Sequence, residues 1–171
     1  MAVALLASGC SDPGPGYPVE EPPDPPLEVP FADSPAQLMA NFRTIYENRS
    51  VVRYLDLMHP DFRLYLQDAT IRAYPELGAF LDAAEEERVA WRMFSGQDVV
   101  DPEDQFVPRI VGITFNQFVP RADWSFSSID DPIPTTLVAP YDVDLLIDRG
   151  QDRSPIAVKG VIRFYVSSRD S

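Results

Sequence analysis

Few residues in this chain have side chains able to do chemistry, and their spacing limits what that chemistry could be. His59 is the only histidine and Cys10 the only cysteine. A metal site built from several histidines therefore cannot be assembled, no serine or cysteine triad is expected, and a lone thiol cannot close an internal disulfide. Asp61, two residues beyond His59, could orient the imidazole for proton transfer, with tyrosines as further donors. His59-Pro60-Asp61 also has the composition of a turn, because proline presets φ and aspartate bonds its own backbone, and a structural role is favoured. Asp98, Asp101, Glu103 and Asp104 crowd into one stretch. They lack the glycine and terminal glutamate of a calcium loop and are expected to form a solvated turn. With no glycine-rich phosphate loop and no metal-ligand spacing, neither cofactor nor metal is expected. What remains is a set of polar-tipped aromatics, Tyr46, Tyr54, Tyr65, Trp91 and Trp124, which could line a pocket for a planar ligand or fill a core.

The elements that must position these residues begin at Ser34. Ser34, Pro35 and Gln37 form a helix start in which the serine hydroxyl caps free N–H groups and the glutamine amide reaches back. Leu38, Met39, Phe42, Ile45 and Tyr46 then recur at three- and four-residue spacing and share a buried face, leaving Asn41, Arg43, Glu47 and Asn48 to solvent. After a bend at Asn48-Arg49-Ser50, with Ser50 as cap, Val51, Tyr54, Leu55 and Met58 form the stripe of a second helix. His59-Pro60-Asp61 stops it, and Phe62, Leu64 and Leu66 alternate with polar residues as a strand with one buried face. The stretch from Gln67 to Leu81 reads as loop and then irregular helix. A third helix is expected over residues 85–94, its glutamates in the first turn suiting the helix dipole and Val89, Ala90, Met93 and Phe94 on one face. Beyond it the pattern is all strand. Residues 110–119 alternate, and residues 136–148 and 156–168 form a hairpin. In that hairpin Asp142 and Asp144 oppose Lys159 and Arg163 as surface register pairs.

Ahead of these elements lies a leader of different character. Residues 1–9 are apolar and small and run into Cys10, and LASGC resembles the bacterial lipobox, in which the cysteine is acylated through its sulfur and becomes the mature N-terminus. Residues 1–10 are thus expected to be a signal segment and Cys10 the lipid attachment point. Residues 11–33 carry eight of the 18 prolines together with acidic residues. Such a segment is expected to stay extended and solvated as a spacer between membrane and domain. The 171-residue chain is 45% hydrophobic, enough for one globular domain. Acidic residues outnumber basic ones 27 to 14, for a net charge of -13, which makes nucleic acid an unfavourable partner because phosphates would be repelled.

The run YENRSVVRYLDLMHPDF with the alternating strand after it resembles the opening of nuclear transport factor two-like domains, the cystatin-like cone. ERVAWRMFSG and the cysteine-plus-proline leader resemble bacterial lipoproteins that carry this domain. The resemblance spans residues 34–168 and implies an α+β fold. In it a helical hairpin and a third helix pack in the concave face of a curved antiparallel sheet, and the mouth of the cone is the usual pocket. On that basis residues 34–171 form the domain, and Phe42, Tyr46, Tyr54, Leu66 and Trp91 are candidates to line the pocket. Cone domains commonly finish with a further tryptophan-containing strand, whereas this sequence ends in SSRDS, so that strand is expected to be lacking or its edge managed differently. An ungapped comparison with the family's isomerases puts Phe42 where their tyrosine donor falls and Leu66 where their aspartate base falls. Neither can transfer a proton.

The expected function is a bacterial envelope lipoprotein whose cone is a noncatalytic small-ligand-binding or scaffold module. It would reach the membrane through Cys10 and take a small hydrophobic ligand or a protein, a second copy included, as partner. The alternative is an acid–base enzyme of the cyclase, dehydratase or isomerase kind using His59 and Asp61 on a small hydrophobic substrate.

Overall fold

The computed structural model describes residues 27–100 and 104–167; Cys10, residues 11–26 of the spacer, Asp101 and Glu103 lie outside them. Helix α1 runs Pro35–Glu47, with Ser34 Oγ accepting from the Gln37 N–H at 3.3 Å. The Gln37 amide does not reach back to the cap but donates to Asn41 Oδ1 at 2.9 Å. Asn41, expected on the solvent side, is 4% exposed because its Nδ2 donates to the Pro30 carbonyl at 2.7 Å. That bond and one from Arg53 Nε to the Leu27 carbonyl at 2.9 Å hold the incoming chain against the domain. Leu27 and Val29, placed in the spacer by composition, pack on the core.

Helix α2 covers Val51–Leu57. Ser50 stands at its cap position without a side-chain capping bond. The bend before it puts Arg49 in the left-handed region, φ 53°, a cost offset by what the side chain does: Arg49 Nη1 donates to the Ile110 carbonyl at 2.6 Å. The expected half-buried strand is shorter and more exposed than its alternation implied. Strand β1, Arg63–Tyr65, pairs antiparallel with β2, Phe80–Asp82, as a side hairpin. Between them lie the short helix α3, Asp68–Ala73, and a single 3-10 turn at Pro75–Leu77.

Helix α4, Ala83–Phe94, starts at a reciprocal capping box. Asp82 Oδ1 accepts from the Glu85 N–H at 2.9 Å, and Glu85 Oε2 accepts from the Asp82 N–H at 3.0 Å. Asp82→Ala is expected to lower stability by about 1 kcal/mol in chemical denaturation. Strands β3, Val99–Val100, and β4, Phe106–Val107, form a small hairpin where a plain loop was expected.

The main sheet contains β5, Gly112–Pro120, β6, Ser125–Phe126, β7, Leu137–Asp148, and β8, Ile156–Val166. Strand β7 is central, with β5 and then β6 along one side and β8 along the other, all antiparallel. Its inward residues Ala139, Tyr141, Val143 and Leu145 are at most 8% exposed. In β5, Ile113 and Phe115 are buried as their alternation predicts, but the register slips between Phe115 and Gln117. The extra residue brings Phe118, opposite Val143, onto the core face. These strands share one core with Met39 and Ile45 of α1, Val51 and Tyr54 of α2, and Ala90 and Phe94 of α4. The fold is mixed α+β with antiparallel sheets. Of the expected register pairs, Lys159 Nζ meets Asp144 Oδ2 at 2.8 Å. Asp142 instead accepts from Arg121 Nε at 3.1 Å, and Arg163 lies 3.7 Å from Asp131.

Candidate functional site

The helices converge on one buried polar group. Glu86 lies on the stripe that α4 buries, four residues before Ala90 and eight before Phe94, and is 3% exposed. Tyr54 of α2, itself 6% exposed, donates its hydroxyl to Glu86 Oε1 at 2.6 Å. Glu86 Oε2 has no hydrogen-bond partner among the described residues. Tyr46 of α1 meets the Tyr54 ring edge-on at 5.3 Å, and Phe94 lies edge-on to both at 5.0 and 5.6 Å. Removal from water pushes the Glu86 carboxyl above its ordinary range, and the Tyr54 hydrogen bond opposes this in part. Burial likewise raises both phenols, and the nearby Glu86 charge adds to it. A carboxyl held above its ordinary range beside a phenol donor is equipped to hold or pass a proton.

What surrounds this group is packed. Phe42 lies within 4.7 Å of the Tyr46 ring, 5.3 Å of Phe164, 5.7 Å of Phe118, 6.2 Å of Tyr54 and 6.4 Å of Phe115, centroid to centroid. Tyr141 continues the array, 4.9 Å from Phe118, and Trp124 lies 6.2 Å from Tyr141. Open hollows lie at the surface, two of them among the described residues. One of about 370 Å³ is formed by Leu55, Met58, His59, Pro60, Ala83, Ala84 and Glu87. The other, about 250 Å³, lies between Arg49 and Arg109.

Of the candidate pocket residues, Phe42, Tyr46 and Tyr54 are thus brought together, as interlocked core rings. Leu66 is half-buried beyond the β1–β2 hairpin, where its N–H bonds the Ala79 carbonyl at 3.0 Å. Trp91 is 51% exposed, because Glu86, Ala90 and Phe94 take the inward face of α4. Tyr65 lies tilted against Phe80 at the surface hairpin, ring centroids 5.7 Å apart. His59 and Asp61 close the turn after α2. His59 Nδ1 accepts from the Asp61 N–H at 3.1 Å, and the Asp61 side chain is 90% exposed. That pair is a surface turn, and the buried carboxyl that faces a phenol is Glu86, one of the glutamates expected only to suit the helix dipole. Its position at i−4 and i−8 from Ala90 and Phe94 was the available signal.

Asp98, from the acidic stretch, accepts the Arg109 N–H at 2.9 Å. Among the described residues no group of three or more His, Cys, Asp or Glu is placed to hold a metal ion, and no helix is long and apolar enough to cross a membrane. Compared with protein-family models, curated proteins and solved structures, the chain matches none.

Proposed function

We propose that the chain is a lipid-anchored protein of a bacterial cell envelope. Its folded part, a nuclear transport factor two-like cone, is a noncatalytic module that binds or scaffolds through its outer surface. Support for the cone comes from helices α1, α2 and α4 sharing one core with the inward faces of β5, β7 and β8. The observation that carries the noncatalytic reading is the ring array centred on Phe42, which occupies the volume a substrate would need. The anchor rests on LASGC and the acidic proline-rich run after it. Cells fed a fatty-acid analogue are expected to label the wild type and not Cys10→Ser; equal incorporation by both removes the anchor.

A second reading, an acid–base enzyme, is favoured by one observation, the unpartnered Oε2 of buried Glu86. In that reading Glu86 and Tyr54 replace His59 and Asp61 as the proton carriers, and the Phe42 array must part to admit a small hydrophobic substrate.

A further inference from the structure

The two edges of the main sheet are finished differently. On β5 the Phe115 N–H donates to Glu47 Oε1 at 3.1 Å and the Phe115 carbonyl accepts from Arg43 Nη2 at 3.0 Å, so α1 side chains occupy the outward groups. These bonds also set the hydrogen-bonding phase of the sheet. Phe115 faces Leu145 with its polar groups turned away, so Leu145 bonds to β8 instead. In agreement, the carbonyls of Thr136, Pro140 and Asp148 turn the other way, toward Ser127, Arg121 and Val111. Odd residues of β7 therefore bond even residues of β8. The N–H and C=O groups of Ala157, Lys159, Val161, Arg163 and Tyr165 point outward along an edge with no partner among the described residues.

This edge lacks the usual protections. The β7–β8 register runs without a bulge over the 11-residue strand. Ile156, Val158 and Ile162, on the face that β7 buries, are 43%, 44% and 40% exposed. The only charges on β8, Lys159 and Arg163, are drawn to Asp144 and Asp131 of the same chain, so no unpaired cation guards the edge.

We propose that β8 pairs antiparallel with β8 of a second copy of this chain, about a two-fold axis at Gly160, joining two sheets into one. Charge favours a second copy at this place. A chain of net charge -13 repels its like over most of its surface, and a locally neutral edge is where two copies approach most easily. The strand is also self-complementary. Centred on Gly160, the pairing sets Val158 beside Ile162 and Ile156 beside Phe164 of the second copy, with Lys159 facing Val161 and Arg163 facing Ala157. Gly160 meets itself at a position without cross-strand hydrogen bonds, where backbones approach most closely. Moving the axis one residue sets Lys159 against Lys159 or against Arg163, which like charge disfavours. A single added strand pair belongs to the small, transient class of interfaces, below about 1,200 Å² in total, and the dimer is expected to dissociate on the order of 100 μM.

The test is sedimentation equilibrium on the full chain carrying Cys10→Ser, which excludes lipid and an intermolecular disulfide through Cys10, across micromolar to millimolar concentration. A reversible dimer is expected. Val161→Pro removes an outward N–H and no bond to β7, and Ile162→Lys puts a charge on the shared apolar face; each is expected to weaken the dimer by at least about tenfold. In the same background the pair Val158→Cys with Ile162→Cys is expected to oxidise to a covalent dimer, and Val158→Cys alone is not. The cysteine pair carries the test should Val161→Pro fail to fold. A chain that stays monomeric throughout, leaving the edge to a different partner, overturns the proposal. So does a dimer that Val161→Pro leaves unchanged, or a covalent dimer that Val158→Cys alone forms equally well.

Discussion

Phe42→Ala is expected to lower stability by about 3–5 kcal/mol, the usual range for truncating a packed aromatic side chain. The reason is the number of rings that lose a neighbour at once, since Phe42 contacts rings from α1, α2, β5 and β8. Urea denaturation should show the midpoint falling with little change in slope. The same variant tests whether the interior is filled. An apolar void left by the ring is expected to accept a small apolar probe such as benzene, seen as a recovered midpoint, whereas the wild type is expected to respond little. A wild type stabilised by benzene as strongly as the variant would mean that room already exists beside Tyr46 and Tyr54, and the noncatalytic reading would lose its support.

Glu86→Gln is expected to raise stability by about 1–2 kcal/mol at neutral pH and to change little in acid. The sign follows from which state holds the proton more tightly. Burial raises the Glu86 carboxyl in the folded chain above its ordinary value of 4.5, so the folded state keeps its proton to higher pH than the unfolded state does. The neutral carboxyl therefore supports the fold fully below the unfolded value, and that support is lost as pH rises through the folded one. Glutamine keeps an acceptor for Tyr54 and cannot ionise, so its profile of thermal midpoint against pH should lack this decline. A wild type whose midpoint does not fall relative to Glu86→Gln between acid and neutral pH would show the carboxylate to be satisfied when charged. An activity that disappears in Glu86→Gln while stability rises would instead favour the acid–base reading.

The helices were largely legible because their signals are local. Ser34-Pro35 set the start of α1, the stripe Met39, Phe42, Ile45 and Tyr46 set its face, and Ser95-Gly96 set the end of α4, Gly96 taking φ 65°. Strand β7 was legible for a similar reason, since strict alternation over Ala139 to Ile147 admits one buried face. Strand β2 was not, because Phe80–Asp82 is three residues long and is a strand only through pairing with β1. The slip after Phe115 was hidden too. Read alone, the run continues its alternation, and only the pairing with β7 places Phe118 inside.

At the candidate site the division is sharper. The amino-acid sequence by itself determined which residues could do chemistry, and through spacing and capping it determined that Tyr46, Tyr54 and Phe94 lie on helix faces with their apolar neighbours. It left Glu86 as one of three consecutive glutamates and His59 as a lone imidazole beside an acid. Only the tertiary structure decided that Glu86 is the glutamate drawn under α1 and α2 onto the Tyr54 hydroxyl, while His59 and Asp61 close an exposed turn. The physical reason is that periodicity specifies a direction around a helix axis. Whether that direction meets water or a tyrosine depends on a partner 32 residues away along the chain, and no local pattern encodes that distance.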